Sequence, residues 1–134
     1  MNKSEFFCRA ILLVASIGLC PIALSYGLNP QRTVPLLFGF SADKIDTAHI
    51  FRAMMGLYLG MIVLWLLGFF NPRFTQAGLL SLIVFMLGLV AGRLISFIVD
   101  GWPSSWLLVT YFVLEVTAGL IGLWSYRKLT LSKP

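Results

Sequence analysis

The chain has 134 residues, 59% of them hydrophobic and 11% charged, with a formal net charge of +5. A soluble domain of that length would lack the surface polarity to stay dispersed, whereas helices solvated by lipid need charge only at their ends and in their interior. The basic residues stand near the ends of apolar segments and form no patch interleaved with aromatics, which sets nucleic-acid binding aside.

Apolar runs long enough to cross a bilayer lie at about residues 6–28, 47–70, 74–99 and 103–126. The reading is a single all-α domain, an integral membrane four-helix bundle of up-down topology. In the first run, Lys3 and Arg9 with the small residues of Ala23 to Ser25 leave a cleaved signal peptide as the alternative. The apolar run continues through "SYGL", and Leu19 precedes Cys20 where a lipoprotein signal wants a small residue, so a retained helix kinked at Pro21 is expected. Cys8 and Cys20 sit on this one run, about 18 Å apart as a helix, too far to pair. Neither metal nor redox spacing is present, and no cofactor is expected.

The connection "NPQRTVPLLFGFSADKID", Asn29 to Asp46, carries Asn-Pro and Val-Pro dipeptides that resist helix, while "LLFGF" is placed in the membrane interface. Ser41 is the expected N-cap of the second span. "NPR", Asn71 to Arg73, and "DGWP", Asp100 to Pro103, read as tight turns, which make the spans they join antiparallel neighbours. Lys3, Arg9, Arg73, Arg127, Lys128 and Lys133 then share one side, against Arg32 and Lys44 on the other, so both termini are expected in the cytoplasm of an inner-membrane protein. Trp65, Trp102, Trp106, Trp124 and Tyr126 read as interface anchors.

Small residues recur every four positions at Gly56 and Gly60, Gly88 and Gly92, and Ala118 and Gly122. Such stripes let helix backbones approach in lipid, so they are taken as packing faces within the chain, with a homodimer face as the alternative. At about 100° per residue the polar residues fall on the same faces. His49 and Arg52 align with Gly56 and Gly60; Arg93, Ser96 and Asp100 flank Gly88 and Gly92; Tyr111 and Glu115 align with Gly119 and Gly122. All are therefore expected to point into the bundle. Glu115 lies near mid-membrane, within reach of an arginine stem from Arg93 or Arg52, and His49 is read as a polar neighbour rather than a proton carrier. Two arginines for one glutamate leave a positive excess that would attract an anion, unless Asp100 folds back to neutralise it and close the site as a plug.

"HIFRAMMGLYLG", His49 to Gly60, then "GLVAGRLISFIVDGWP", Gly88 to Pro103, and Glu115 in the last span resemble the domain-of-unknown-function family numbered 4345. That resemblance covers nearly the whole chain. It implies a small four-helix membrane protein with Arg52, Gly56, Gly60, Gly92, Arg93, Ser96, Asp100, Gly101 and Glu115 at motif positions, and it supplies no activity.

The expected function is a binding protein or carrier for a small polar or anionic molecule, or a lipid head group. The candidate ligand-binding residues are Arg52, Arg93, Glu115, His49, Ser96, Asp100 and Tyr111. Proton-coupled transport through Glu115 and a ligand-free accessory subunit are the alternatives. Catalysis is not expected, because no nucleophile with an adjacent base stands out.

Overall fold

The computed structural model describes residues 3–131, all of whose regular structure is helical. Lys133 lies outside them, as does the side chain of Lys3, so their part in the charge balance is not observed. Four long helices, α1 (Lys3–Gly27), α3 (Ile45–Phe70), α4 (Pro72–Val99) and α5 (Trp106–Leu131), are long and apolar enough to cross a bilayer. They extend past several expected ends because helical hydrogen bonding continues into the polar flanks of an apolar run.

A fifth helix, α2 (Pro30–Phe38), occupies the connection expected to resist helix. Pro30 stands in its first turn, where the missing N–H would have had no partner anyway. Pro35 removes one hydrogen bond, a local cost in a helix of 9 residues that stops at Gly39, whose φ of 76° and N–H to the Pro35 carbonyl close the last turn. The Thr33 hydroxyl donates to the carbonyls of Ser25 and Asn29, tying α2 to the end of α1. Ser41 does not cap α3. Its hydroxyl donates to the Asp43 carboxylate, and α3 starts at Ile45 after Lys44 with no side-chain cap. Asn71 alone separates α3 from α4, and its side-chain oxygen accepts from the Arg73 amide at 3.1 Å.

The core is a seam running the length of α1, with Cys8, Leu12, Leu19, Ala23 and Tyr26 buried. Facing it are Tyr58, Ile62 and Trp65 of α3 and Leu79, Leu82 and Met86 of α4. The most extensive contacts are α1 on α3 and α4 on α5, whereas α1 meets α4 and α5 over smaller areas. Trp65 is no interface anchor. It is fully buried, and its indole N–H donates to the Ser81 hydroxyl at 3.1 Å, the partner an enclosed indole requires.

At one end of the bundle the backbones of α3 and α4 close on each other at Gly68 and Gly78, with the Leu12 side chain of α1 against both. A Cβ at Gly68 would lie 2.7 Å from Leu12 Cδ1 and 3.1 Å from the Phe74 carbonyl oxygen, and one at Gly78 would lie 2.9 Å from the same Leu12 methyl. Arg9 reaches across to the end of α3, donating to the carbonyls of Phe69 at 2.6 Å and Phe70 at 3.2 Å, which otherwise lack helical partners. Thr75, buried nearby, donates to the Gly68 carbonyl at 2.8 Å. Thr75→Val is expected to lower stability by about 1 kcal/mol, read as a shift in the unfolding midpoint in detergent, because the shape is kept and one buried hydrogen bond is lost.

Candidate functional site

Gly119 and Gly122 on α5 set the register that builds the site. A Cβ at Gly119 would lie 2.8 Å from Leu87 Cδ2, and one at Gly122 would lie 3.1 Å from Ile83 Cγ1, so α4 and α5 meet where α5 has no side chain. One turn further along this antiparallel contact, Arg93 of α4 lies over Glu115 of α5. Its Nε donates to Oε2 at 2.7 Å and its Nη2 to Oε1 at 2.9 Å, a two-pronged pair that holds both groups in one plane. Glu115 is buried and the Arg93 side chain is 21% exposed. The guanidinium carbon stands 5.9 Å from the centre of the Tyr111 ring.

Two cavities meet at Arg93, and Glu115 lines one of them. The smaller, about 240 Å³, lies among α1, α4 and α5 and is apolar apart from Arg93, Glu115 and the tyrosines Tyr26, Tyr58 and Tyr111. The larger, about 630 Å³, is more open and lies between α2, the start of α3, the end of α4 and the connection at residues 100–105. Phe38, Phe40 and Phe51 line it together with Ser96, Ser104 and Ser105. Tyr26, Tyr58, Leu89 and Arg93 line both, so these four side chains are the wall between them.

The two tyrosines in that wall carry polar groups left over by the fold. Tyr26 is 4% exposed and Tyr58 5%, with ring centres 5.6 Å apart, yet neither hydroxyl bonds another described residue. The Tyr111 hydroxyl and Arg93 Nη1 likewise have no partner among the described residues. Among the described residues no fully enclosed side-chain nitrogen or oxygen lacks a partner, so each of the four groups keeps some accessible surface, and all four residues line the smaller cavity. Buried hydroxyls find hydrogen-bond partners in folded proteins, and four donors without one on residues that line the same cavity define a place for an acceptor.

Several expected members of the site stand elsewhere. His49 and Arg52 are exposed on the outer face of α3, as are Gly56 and Gly60, beside which a Cβ would meet nothing within 4 Å. Gly56 lies about 160° around the helix from Tyr58, so the small-residue face and the core face of α3 are opposite. Gly88 and Gly92 are also exposed and make no helix contact; they line the larger cavity, where absent side chains leave room. Ala118 is half-buried against the core, and Gly122 is buried against α4. Asp100 does not fold back on an arginine. Its carboxylate accepts from the Ser96 hydroxyl at 2.8 Å, and both residues are exposed beside Arg93 at the end of α4.

With Arg52 outside, the junction holds one cation against one anion. The positive excess expected from the sequence is not there. Tyr26 and Tyr58 were not among the expected site residues, although a signal existed: Tyr58 lies deep within an apolar span, away from the interface where tyrosine usually resides. No group of three metal-ligating side chains converges among the described residues.

A family model described as a domain of unknown function, DUF4345, matches residues 7–126. No curated protein and no solved structure matches the chain.

Proposed function

This chain belongs to the DUF4345 family, and we propose that it is a multi-pass inner-membrane binding protein or carrier for a small molecule whose polar group is held at Arg93 and its neighbouring tyrosines. In this reading both termini face the cytoplasm and the four long helices run up and down. Arg73, Arg127 and Lys128 then lie on the cytoplasmic side and the larger cavity opens on the opposite one.

The observation that carries the proposal is the set of unpartnered donors on residues lining the smaller cavity: the hydroxyls of Tyr26, Tyr58 and Tyr111 and Arg93 Nη1. Donors select an acceptor. Because Glu115 already balances Arg93, an anion would bring an uncompensated charge into a low-dielectric site, so an uncharged carbonyl or ester is favoured over a carboxylate or phosphate. A closed plug that only fixes helix register would not need a cavity beside the ion pair. Proton-coupled transport is disfavoured because the Glu115 carboxylate is already committed to two hydrogen bonds from Arg93. We propose binding and not catalysis, the donors being suited to holding a polar group.

A short neutral ester, monoacetylglycerol, at millimolar concentration is expected to raise the unfolding temperature of the purified protein in detergent more than acetate does. Tyr58→Phe, which keeps the ring and deletes the hydroxyl, and Arg93→Gln are both expected to reduce that rise. Equal stabilisation of wild type and both variants would remove the site.

A further inference from the structure

The cavity below the tyrosine wall does not end at α5. A third space, about 320 Å³, lies in the seam between α1 and α5, lined by Phe7, Ile11, Leu82 and Ile121, and it shares Val14, Ala15 and Ala118 with the cavity above it. The two form one apolar groove that runs along α1 from Phe7 to Tyr26. At the rise of a helix that is roughly 28 Å, close to the thickness of the hydrocarbon core of a bilayer.

Polar groups are confined to one end of this groove, at Tyr26, Tyr58, Tyr111, Arg93 and Glu115. Its long side is open: Val14, Gly18 and Leu114 are all exposed, and a Cβ at Gly18 would meet nothing within 4 Å. The seam follows from the packing, since α1 is committed mainly to α3 and α5 to α4, leaving α1 and α5 in limited contact. In lipid nothing forces such a seam shut, because acyl chains solvate apolar side chains as well as other side chains do.

We infer that the occupant is a long-chain, uncharged, ester- or carbonyl-headed lipid that enters sideways from the bilayer between α1 and α5. Its acyl chain lies along Val14, Gly18, Leu114 and Ala118. Its carbonyl accepts from the tyrosine hydroxyls and Arg93 Nη1, and its head group stops at the wall of Tyr26, Tyr58, Leu89 and Arg93. The inference rests on the binding reading above and adds the ligand class and the route of entry. The chain end contributes packing, and the head contributes selection, since a hydroxyl left unsatisfied at this depth is costly and an ester oxygen satisfies it.

The test uses the full chain in detergent with a long-chain monoacylglycerol carrying a diazirine on its acyl chain, alongside monoacetylglycerol as the chainless head. Photolabelling is expected on the peptides of α1 and α5 that contain Val14, Gly18 and Leu114. Ala10→Phe and Ile121→Trp add bulk to the third space at residues that do not line the cavity holding the head, and each is expected to cut labelling roughly tenfold while leaving stabilisation by monoacetylglycerol unchanged. Tyr58→Phe is expected to reduce both. An excess of the matching fatty acid should compete poorly; strong competition would overturn the uncharged head. Labelling spread evenly over all lipid-facing helices, or unchanged in both groove variants, would overturn the acyl-chain assignment while the binding reading stands on the monoacetylglycerol result. Failure of monoacetylglycerol to stabilise the wild type would remove both.

Discussion

Replacing Glu115 by alanine is expected to destabilise the protein by about 3 kcal/mol, measured by reversible denaturant unfolding in detergent micelles. The carboxylate accepts two hydrogen bonds from Arg93 and is buried; without it the guanidinium keeps its charge and loses its counter-ion. The figure sits at the lower end for a buried pair because the Arg93 side chain retains 21% exposure. The double variant Arg93→Met with Glu115→Leu is expected to recover most of the loss, to within about 1 kcal/mol of wild type, since it removes the stranded charge together with the attraction. It should nevertheless fail to respond to monoacetylglycerol. Stability restored with binding lost separates the two roles of the pair. A Glu115→Ala protein as stable as wild type would show that the pair is solvated and contributes nothing to the fold.

Gly68→Ala is expected to cost about 2 kcal/mol, the scale of overpacking a closed interface. The added methyl would lie 2.7 Å from Leu12 Cδ1 and 3.1 Å from the Phe74 carbonyl oxygen; the first is the end of a side chain and can move, the second is backbone and cannot without separating α3 from α4. Combining Gly68→Ala with Leu12→Ala is therefore expected to be less destabilising than the sum of the two single changes, the coupling reporting the side-chain clash alone. Full additivity in the double-mutant cycle would mean that Leu12 does not fill the space beside Gly68.

That an arginine, Arg93 or Arg52, would pair with Glu115 was legible because ionisable residues deep in apolar runs have few partners to choose from; the structure selects Arg93. The place of Arg52 was not. It lies on a glycine stripe that looks in sequence like that of Gly119 and Gly122, yet α3 turns the opposite face to the core, with Tyr58, Ile62, Trp65 and Gly68 buried. The close-packing glycines at 68 and 78 were missed for a related reason: neither belongs to a four-residue repeat, and the nearest side chain to each is Leu12, more than fifty residues away in the chain. Helix α2 escaped notice because its two prolines argue locally against a helix, whereas the Thr33 hydroxyl and the Gly39 stop that hold it depend on the end of α1 and on a left-handed backbone.

The sequence by itself determined how many helices are long and apolar enough to cross a bilayer, where they begin and end to within a few residues, and which polar residues lie within them. These follow from length and hydropathy, which are properties of a segment alone. The tertiary structure decided how each helix is rotated about its axis, and with it the neutral charge of the junction, the recruitment of Tyr26 and Tyr58, and the open seam between α1 and α5. The physical reason is the solvent. In water an apolar stripe points inward, but in lipid the outward face is equally apolar, so the pattern carries no direction and only the fit of one helix against another supplies it.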